Sequence, residues 1–354
     1  MGWWQVNADT LARSRFVVSP LAEVTSSLKT LERGTAAHPG ERTWLDAHLP
    51  AYRERLAGDP VTQLLVRTGL GRSWNADFLT PTPVGEAGPS PRGTWKPSTT
   101  PPGAVPPVTF EQELARIRRT PAETAHADLI VSLGGPLPAA LRRSDLAERA
   151  ADLLDWVWRE TVLPSWPRRR RIIEADVVAR TAQLSQGGWA AALDAMRPGM
   201  RWLGESRLQI NTYDYPPREV SGAQLLFVPV TPRQGWVSWD SARAPGRGDF
   251  QRRYAVVYPC SGALAGADRV SVPGALGALL GPARAGVLVL LDTPKSTTQL
   301  VALTGQGLGS VGRHLKVLLD ARLVERRRAG RSVLYYWTDA GRVLVGAQQN
   351  DWGA

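Results

Sequence analysis

The stretch SVGRHLKVLLDARLV, residues 310–324, decides the fold of the C-terminal part of the chain. Its apolar residues recur at intervals of three and four, which predicts an α-helix from about Leu308 to Arg322. The residues predicted to face inward are Val311, Leu315, Leu318 and Leu319. Arg313 and Lys316 fall on the opposite face of this helix, where we expect them to be exposed.

Two shorter helices precede this segment and a hairpin follows it. The predicted elements are helices at 282–291 and 299–303 and strands at 323–327 and 333–337. Ser296–Thr298 can cap the second helix, and the charged, glycine-containing segment 328–331 can turn the chain between the strands. The order helix, helix, turn, helix, hairpin predicts a winged helix-turn-helix domain at residues 275–345.

Basic residues are concentrated in this C-terminal segment. The whole chain carries a net charge of +11, and residues 282–345 hold ten Lys and Arg against four Asp and Glu. Because DNA is a polyanion, this distribution favours a nucleic-acid partner. The residues expected to contact double-stranded DNA, from the helix and then from the hairpin, are Ser310, Arg313, His314, Lys316, Arg327, Arg328 and Arg331.

Residues 310–324 resemble the Val-Ser-Arg/Gln-His-Leu-x-x-Leu-x-x-Ala-Gly-Leu-Val stretch of the ArsR family of transcription repressors. The arginine-rich hairpin with Gly330, Arg331, Tyr335 and Tyr336 is similar to that family as well. The resemblance implies a sequence-specific regulator, in this family a repressor, that binds palindromic DNA as a homodimer.

Two departures from the family pattern bear on binding. Gly307 stands where the family has a serine N-cap, and Gly312 stands where a base-reading serine is common. Direct readout would therefore depend more on Ser310, Arg313 and the hairpin. The family's metal sensors carry paired cysteines on the helix that matches Thr297–Leu303, and none is present here, so no metal site is carried over.

Residues 1–272 are predicted to form a large mixed α+β domain. Residues 1–78 are predicted to be mixed structure, with a helix after Pro20 whose apolar face holds Leu21, Val24, Leu28 and Leu31, and residues 109–195 are predicted to be helical throughout. Short strands are predicted at 207–211, 224–229 and 255–259. Residues 80–108 are rich in Pro, Gly, Ser and Thr and predict a loop within this domain.

This N-terminal domain resembles one that precedes ArsR-type modules in actinobacterial regulators. The stretches that carry the resemblance are Arg15–Leu21, Ala76–Pro81, Thr109–Leu114 and Val257–Gly262. The resemblance implies this domain architecture in a regulator and assigns no chemistry to the domain. We expect the domain to dimerise, to sense an apolar ligand, or to do both.

Tryptophan is abundant, and of the 14 in the chain all but Trp337 and Trp352 precede residue 275. The candidates for lining a cavity that binds an apolar small molecule are Trp156, Trp202, Trp236 and Trp239. Core packing explains any one of these tryptophans better, so the pocket stands beside ordinary core packing as an equal alternative.

The remaining chemistry-bearing residues favour structural roles. The single cysteine, Cys260, excludes a disulfide within one chain, indicates a cytoplasmic protein, and is expected to be a small buried side chain. The arginines of 168–171 are expected to begin a solvated helix or to form internal salt bridges, with nucleic-acid binding as the alternative. His314 favours a structural or phosphate-contacting role over metal ligation.

The sequence carries none of the short motifs that indicate an enzyme. The four histidines lie outside metalloprotease-like spacings, and there is no Gly-x-Ser-x-Gly elbow and no P-loop. We therefore expect neither catalysis nor a cofactor. The longest apolar run, 276–291, is broken by Gly281-Pro282 and Arg284, so we expect no membrane span.

Sequence-specific regulation of transcription is thus the function we expect. The alternative is a ligand-binding or protein-interaction protein whose winged helix contacts proteins instead of DNA. A third hypothesis is an enzyme fused to a DNA-binding domain. The first two differ in salt dependence, because binding through several phosphates weakens steeply with ionic strength.

Overall fold

The computed structural model of the chain describes residues 2–37, 39–71, 74–83, 109–193, 196–212, 215–240, 252–260, 272–292, 294–304, 306–329 and 332–346. Helices and strands are mixed along these residues, which confirms the predicted α+β class. Most of the predicted loop 80–108 lies outside the described residues. None of the helices in the described ranges combines the length and the apolar composition needed to cross a bilayer.

In the part of the chain up to residue 260, two short strands lie among the first helices and the remaining strands follow the last helix. Its helices are α1 (Ala8–Arg13), α2 (Pro20–Arg33), α3 (Pro39–Ala57), α4 (Pro60–Gly69), α5 (Phe110–Arg118), α6 (Ala122–Leu133), α7 (Leu146–Val157) and α8 (Trp166–Leu193). Its strands are β1 (Trp3–Gln5), β2 (Arg15–Phe16), β3 (Arg201–Gly204), β4 (Arg207–Gln209), β5 (Arg218–Glu219), β6 (Gln224–Val230), β7 (Trp236–Trp239) and β8 (Arg253–Pro259).

Helix α2 lies at the centre of the helical layer. It is buried from Pro20 to Leu31, because α3, α5, α7 and strand β6 all pack against it. The single apolar face predicted for this helix is therefore too narrow, since the polar residues Glu23 and Lys29 are buried as well. Both polar groups need partners within the protein.

Two four-stranded sheets join the first residues of the chain to the segment after residue 200. The first has the order β3-β4-β1-β5, with β1 antiparallel to β4 and parallel to β5. The second has the order β2-β6-β8-β7, in which β6 and β8 are parallel from Gln224↔Arg253 to Val230↔Pro259. The strands predicted around 207–211, 224–229 and 255–259 are confirmed as β4, β6 and β8.

The C-terminal part is a set of short helices around a small sheet. Its elements are α9 (Gly274–Leu280), α10 (Pro282–Val289), β9 (Lys295–Ser296), α11 (Thr297–Thr304), α12 (Leu308–Asp320), β10 (Val324–Ala329), β11 (Ser332–Trp337) and α13 (Asp339–Gly346). The sheet has the order β10-β11-β9. The indole of Trp337 donates a hydrogen bond to the Leu288 carbonyl (2.7 Å), which fastens the sheet to α10.

The predicted elements of this part are confirmed with shifted ends. Helix α11 begins earlier than predicted because Ser296 and Gln299 form a reciprocal cap, in which each side chain accepts a hydrogen bond from the other's backbone N–H. Pairing of the hairpin extends to Ala329↔Ser332, so Arg328 lies in a strand and not in the turn. Strand β9 and helix α13 were not predicted.

Helix α8 belongs to the N-terminal part of the chain and packs against the C-terminal part. Near its start, Ile172 and Ile173 are buried in one apolar cluster with Val287, Leu300 and other residues of the C-terminal part. Near its end, Gly188 has φ 66° and ψ −168°, which interrupts the helical backbone. The same helix therefore packs on α11 at one end and leads into strand β3 at the other.

Candidate functional site

Helix α12 presents one apolar and one cationic face. Val311, Leu315 and Leu318 are buried against the rest of the C-terminal part, as predicted. Arg313 and Lys316 are exposed on the other side. Gly307 caps the helix without a side-chain hydrogen bond, and a Cβ added at Gly307, Gly309 or Gly312 would meet nothing within 4 Å. The exposed face of the first turns is therefore smooth and open to the close approach of another molecule.

Ser310 and His314 are engaged within the protein rather than displayed. The Ser310 hydroxyl donates to Oε1 of Gln306 (3.1 Å) and lies 3.4 Å from Nε2 of His314. Partial burial, followed by the positive charges of Arg284 and Arg313, lowers the pKa of His314 below its ordinary value. His314 is accordingly uncharged at neutral pH, and Arg313 and Lys316 supply the positive charge of this face.

The hairpin carries arginines on both of its faces. Alternation along β10 places Arg327 on one face, where its guanidinium carbon lies 5.6 Å from the Tyr336 ring centroid. Arg327 also donates to Oε1 of Glu325 (2.9 Å) in an exposed pair. Arg326 and Arg328 are exposed on the other face, and Arg326 was not among the residues predicted to contact DNA. Arg331, which was selected, lies outside the described residues.

The four tryptophans proposed to line a cavity do not converge on one site. Trp236 and Trp239 line a cavity of about 620 Å³ in the N-terminal part. Trp156 lies on α7 beside a separate groove, with the guanidinium carbon of Arg55 5.4 Å from its ring centroid. Trp202 packs against the apolar cluster under β1, β4 and β8. Trp156 and Trp202 are not among the described residues that line the cavity, so the structure does not bring these two together with Trp236 and Trp239.

Seven of the described segments line this cavity. They are the first residues of the chain, the end of α2, the segment after α4, the segment between α8 and β3, the segment that follows β4 and enters β5, residues 233–239 with β7, and the end of β8. They bring Trp3, Trp4, Trp74 and Tyr215 beside Trp236 and Trp239. They also bring basic side chains, which are not expected in the apolar cavity predicted from the sequence.

Lys29 is the most buried of these cations, with 5% of its surface exposed. Its Nζ donates to Oδ1 of Asn75 (2.6 Å) and lies 5.8 Å from the Trp236 ring centroid. Burial, together with the neighbouring charges of Arg33 and Arg197, lowers the pKa of Lys29 to about 7. Lys29 is therefore held in a site that favours loss of its proton.

Cys260 and the arginines of 168–171 have the structural roles expected of them. Cys260 is a free, buried thiol, and burial raises its pKa well above the ordinary value, so it is not a nucleophile at neutral pH. Arg169 is buried in an ion pair with Glu23, and Arg170 pairs with Glu174. Within the described ranges, no three His, Cys, Asp or Glu side chains are grouped as metal ligands would be.

Comparison with protein-family models, with curated proteins and with solved structures gives no match. What can be inferred about function therefore comes from the chain's own residues. Two places concentrate chemistry in the described structure. One is the cationic face of α12 with the adjoining hairpin, and the other is the aromatic and basic cavity of the N-terminal part.

Proposed function

We propose that the protein is a sequence-specific DNA-binding regulator of transcription and that residues 275–345 form a winged helix-turn-helix. Helices α11 and α12 would be the helix-turn-helix pair, and strands β10 and β11 would be the wing. The observation that carries the proposal is the placement of Arg313 and Lys316 on the face of α12 opposite the buried Val311, Leu315 and Leu318. An exposed cationic helix face of this kind fits the major groove of DNA.

Each basic residue has a distinct part in the proposed complex. Arg313 has a planar fork of donors that suits the O6 and N7 acceptors of guanine, whereas Lys316 suits a phosphate as a point charge. The glycines at 309 and 312 let the backbone of α12 approach the groove without a clash. Arg326, Arg327 and Arg328 on the hairpin would hold the flanking phosphates.

The proposed assembly on DNA is a homodimer, acting as a repressor, with half-sites about one helical turn apart. Two large apolar side chains are exposed on the outer helices of the C-terminal part, Leu279 on α9 (68%) and Val343 on α13 (69%). Because single exposed apolar residues are common on protein surfaces, the proposed homodimer rests on the expected palindromic DNA site and not on these two side chains. Light scattering of the protein with and without its DNA site measures the mass of the assembly directly.

The test of DNA recognition is in vitro selection from random duplexes with the full-length protein. The proposal predicts enrichment of one inverted-repeat sequence. Selection with the Arg313→Ala variant should lose preference at the base pair that Arg313 reads. Enrichment of no sequence by the wild type would contradict the proposal.

One observation favours the alternative, in which the module binds a protein. Leu308 and Val317 are exposed on α12, at 64% and 41%. Selection with the wild type separates the two functions. A DNA-binding module should enrich a duplex to which binding weakens steeply with ionic strength, whereas a protein-binding module should enrich no duplex at all.

A further inference from the structure

The cavity of the N-terminal part has the size of a small-molecule site. Its volume of about 620 Å³ falls within the range in which proteins hold drug-sized ligands. Its lining residues all lie between Gly2 and Pro259 and none belongs to the proposed DNA-binding segment 275–345, so a role in contacting DNA does not account for it.

One wall of the cavity is aromatic. The Trp74 ring meets the Trp239 ring edge to face with centroids 5.5 Å apart, and it meets Tyr215 in the same way at 5.6 Å. Trp236 continues this wall towards α2. Rings that hold one another in place in this manner offer flat surfaces on which a planar ligand can stack at low entropic cost.

The lining of the cavity is also strongly basic. The basic side chains at the cavity are Lys29, Arg33, Arg197, Arg218 and Arg233, and the acidic side chain among its described lining residues is Asp77. Like charges in a shared cavity repel one another, and a bound anion relieves that repulsion. A basic excess of this size fits an acidic ligand and does not fit a purely apolar one.

The positively charged groups of Lys29 and Arg218 lie over the rings of Trp236 and Trp239. The guanidinium carbon of Arg218 lies 4.0 Å from the Trp239 ring centroid, in stacking contact. The Lys29 ammonium has three donors, one of which goes to Asn75, so it can also donate to a ligand. An anion bound here would favour the charged form of Lys29.

We propose that this cavity binds a planar aromatic molecule that carries an acidic group. Its ring would stack on the wall formed by Trp74, Trp236 and Trp239. Its carboxylate, sulfonate or phosphate would lie between Lys29, Arg33 and Arg218. This site is separate from the proposed DNA interface, and its test does not depend on DNA binding.

Two probes with the same ring system test the proposal on the full-length protein. They are 8-anilinonaphthalene-1-sulfonate, which is anionic, and N-phenyl-1-naphthylamine, which is uncharged. Calorimetric titration should show one sulfonate bound per chain, at least about tenfold more tightly than the neutral probe. Arg218→Gln and Arg33→Gln should each weaken the sulfonate about tenfold and leave the neutral probe unchanged.

The matched control is Arg55→Gln, which removes the arginine that stacks on Trp156 outside this cavity. It should change neither probe. Circular dichroism shows whether each variant folds. Arg33 is exposed, so Arg33→Gln should fold and still test the proposal if Arg218→Gln does not. Three results would overturn the proposal. They are equal affinity for the two probes, a loss of sulfonate affinity in Arg55→Gln as large as that in the two cavity variants, and no saturable binding up to about 1 mM.

Discussion

Arg169 and Glu23 form a buried ion pair, with Nη1 and Oε1 2.6 Å apart and side chains 1% and 0% exposed. Glu23 also accepts hydrogen bonds from the backbone N–H of Thr231 (2.7 Å) and from its hydroxyl. The pair therefore fastens α8 to α2 and to the end of β6. Because α8 also packs on α11, this contact fixes the helix that joins the two parts of the protein.

Removal of one partner of this pair should be costly. Glu23→Gln leaves the Arg169 charge buried without its carboxylate, so we expect the free energy of unfolding to fall by about 3–5 kcal/mol. Urea denaturation measures the change. The matched control is Glu174→Gln, which breaks the exposed pair with Arg170 and should cost less than about 1 kcal/mol. Equal losses in the two variants would show that the buried pair does not stabilise this junction.

Two glycines should respond to alanine in opposite directions. Both have room for a Cβ, but Gly188 has φ 66° whereas Gly312 lies within α12. Gly188→Ala forces a side-chain-bearing residue into a strained backbone conformation and should destabilise the protein by about 1–3 kcal/mol. Gly312→Ala should stabilise it by about 0.5–1 kcal/mol, because glycine is a poor helix former. Thermal denaturation of the two variants checks both signs, and a shift in the same direction would contradict the backbone geometry at Gly188.

Because folding lowers the pKa of Lys29, the free energy of unfolding should depend on pH between about 7 and 10. Lysine in the unfolded chain titrates at its ordinary value of 10.5, whereas folding lowers the pKa of Lys29 to about 7. Between these values the unfolded chain binds a proton that the folded chain does not, so stability from this group falls as pH decreases from about 10 to 7. Below about pH 6 both states are protonated and the contribution is constant. The charged groups facing Lys29 across the cavity are Arg33, Asp77, Arg197, Arg218 and Arg233.

Lys29→Met should remove this component of the pH dependence. The variant is therefore expected to gain stability relative to the wild type, by more at pH 6 than at about pH 10. Urea denaturation at several pH values measures the difference, with the exposed Lys316→Met as the control. Parallel pH profiles for the wild type and Lys29→Met would mean that Lys29 keeps an ordinary pKa in the folded protein.

The sequence predicts the C-terminal elements well because their information is local. The spacing of Val311, Leu315 and Leu318 alone predicts which face of α12 is buried, and the structure confirms it. The extent of the hairpin is less well predicted. Strand β10 continues through three successive arginines, where the alternation of apolar and polar residues that marks a strand is lost. The sequence pattern therefore does not predict that the strand ends at Ala329.

The cavity could not be predicted in the same way. Its lining runs from Gly2 to Pro259, and the pairing of β1 with β4 and β5 brings the first residues of the chain to Arg218 through contacts that no local pattern encodes. The burial of Lys29 is an example of what the local pattern does not predict. A charged residue beside an apolar helix face normally faces solvent, but α2 is enclosed on all sides, so Lys29 is buried. Its burial depends on neighbours from distant parts of the chain.

The most direct test of the proposed function is the affinity of the wild type and Arg313→Ala for the selected duplex, measured by fluorescence anisotropy at several salt concentrations. The control is Arg42→Ala, which removes the same charge from a surface pair with Asp46 on α3. We expect the logarithm of the wild-type binding constant to fall linearly with the logarithm of salt concentration, by about 0.9 per neutralised phosphate. Arg313→Ala should weaken binding by about 1–3 kcal/mol, and Arg42→Ala should leave it unchanged. Equal affinities for the wild type and Arg313→Ala, or binding that is insensitive to salt, would contradict DNA recognition by α12.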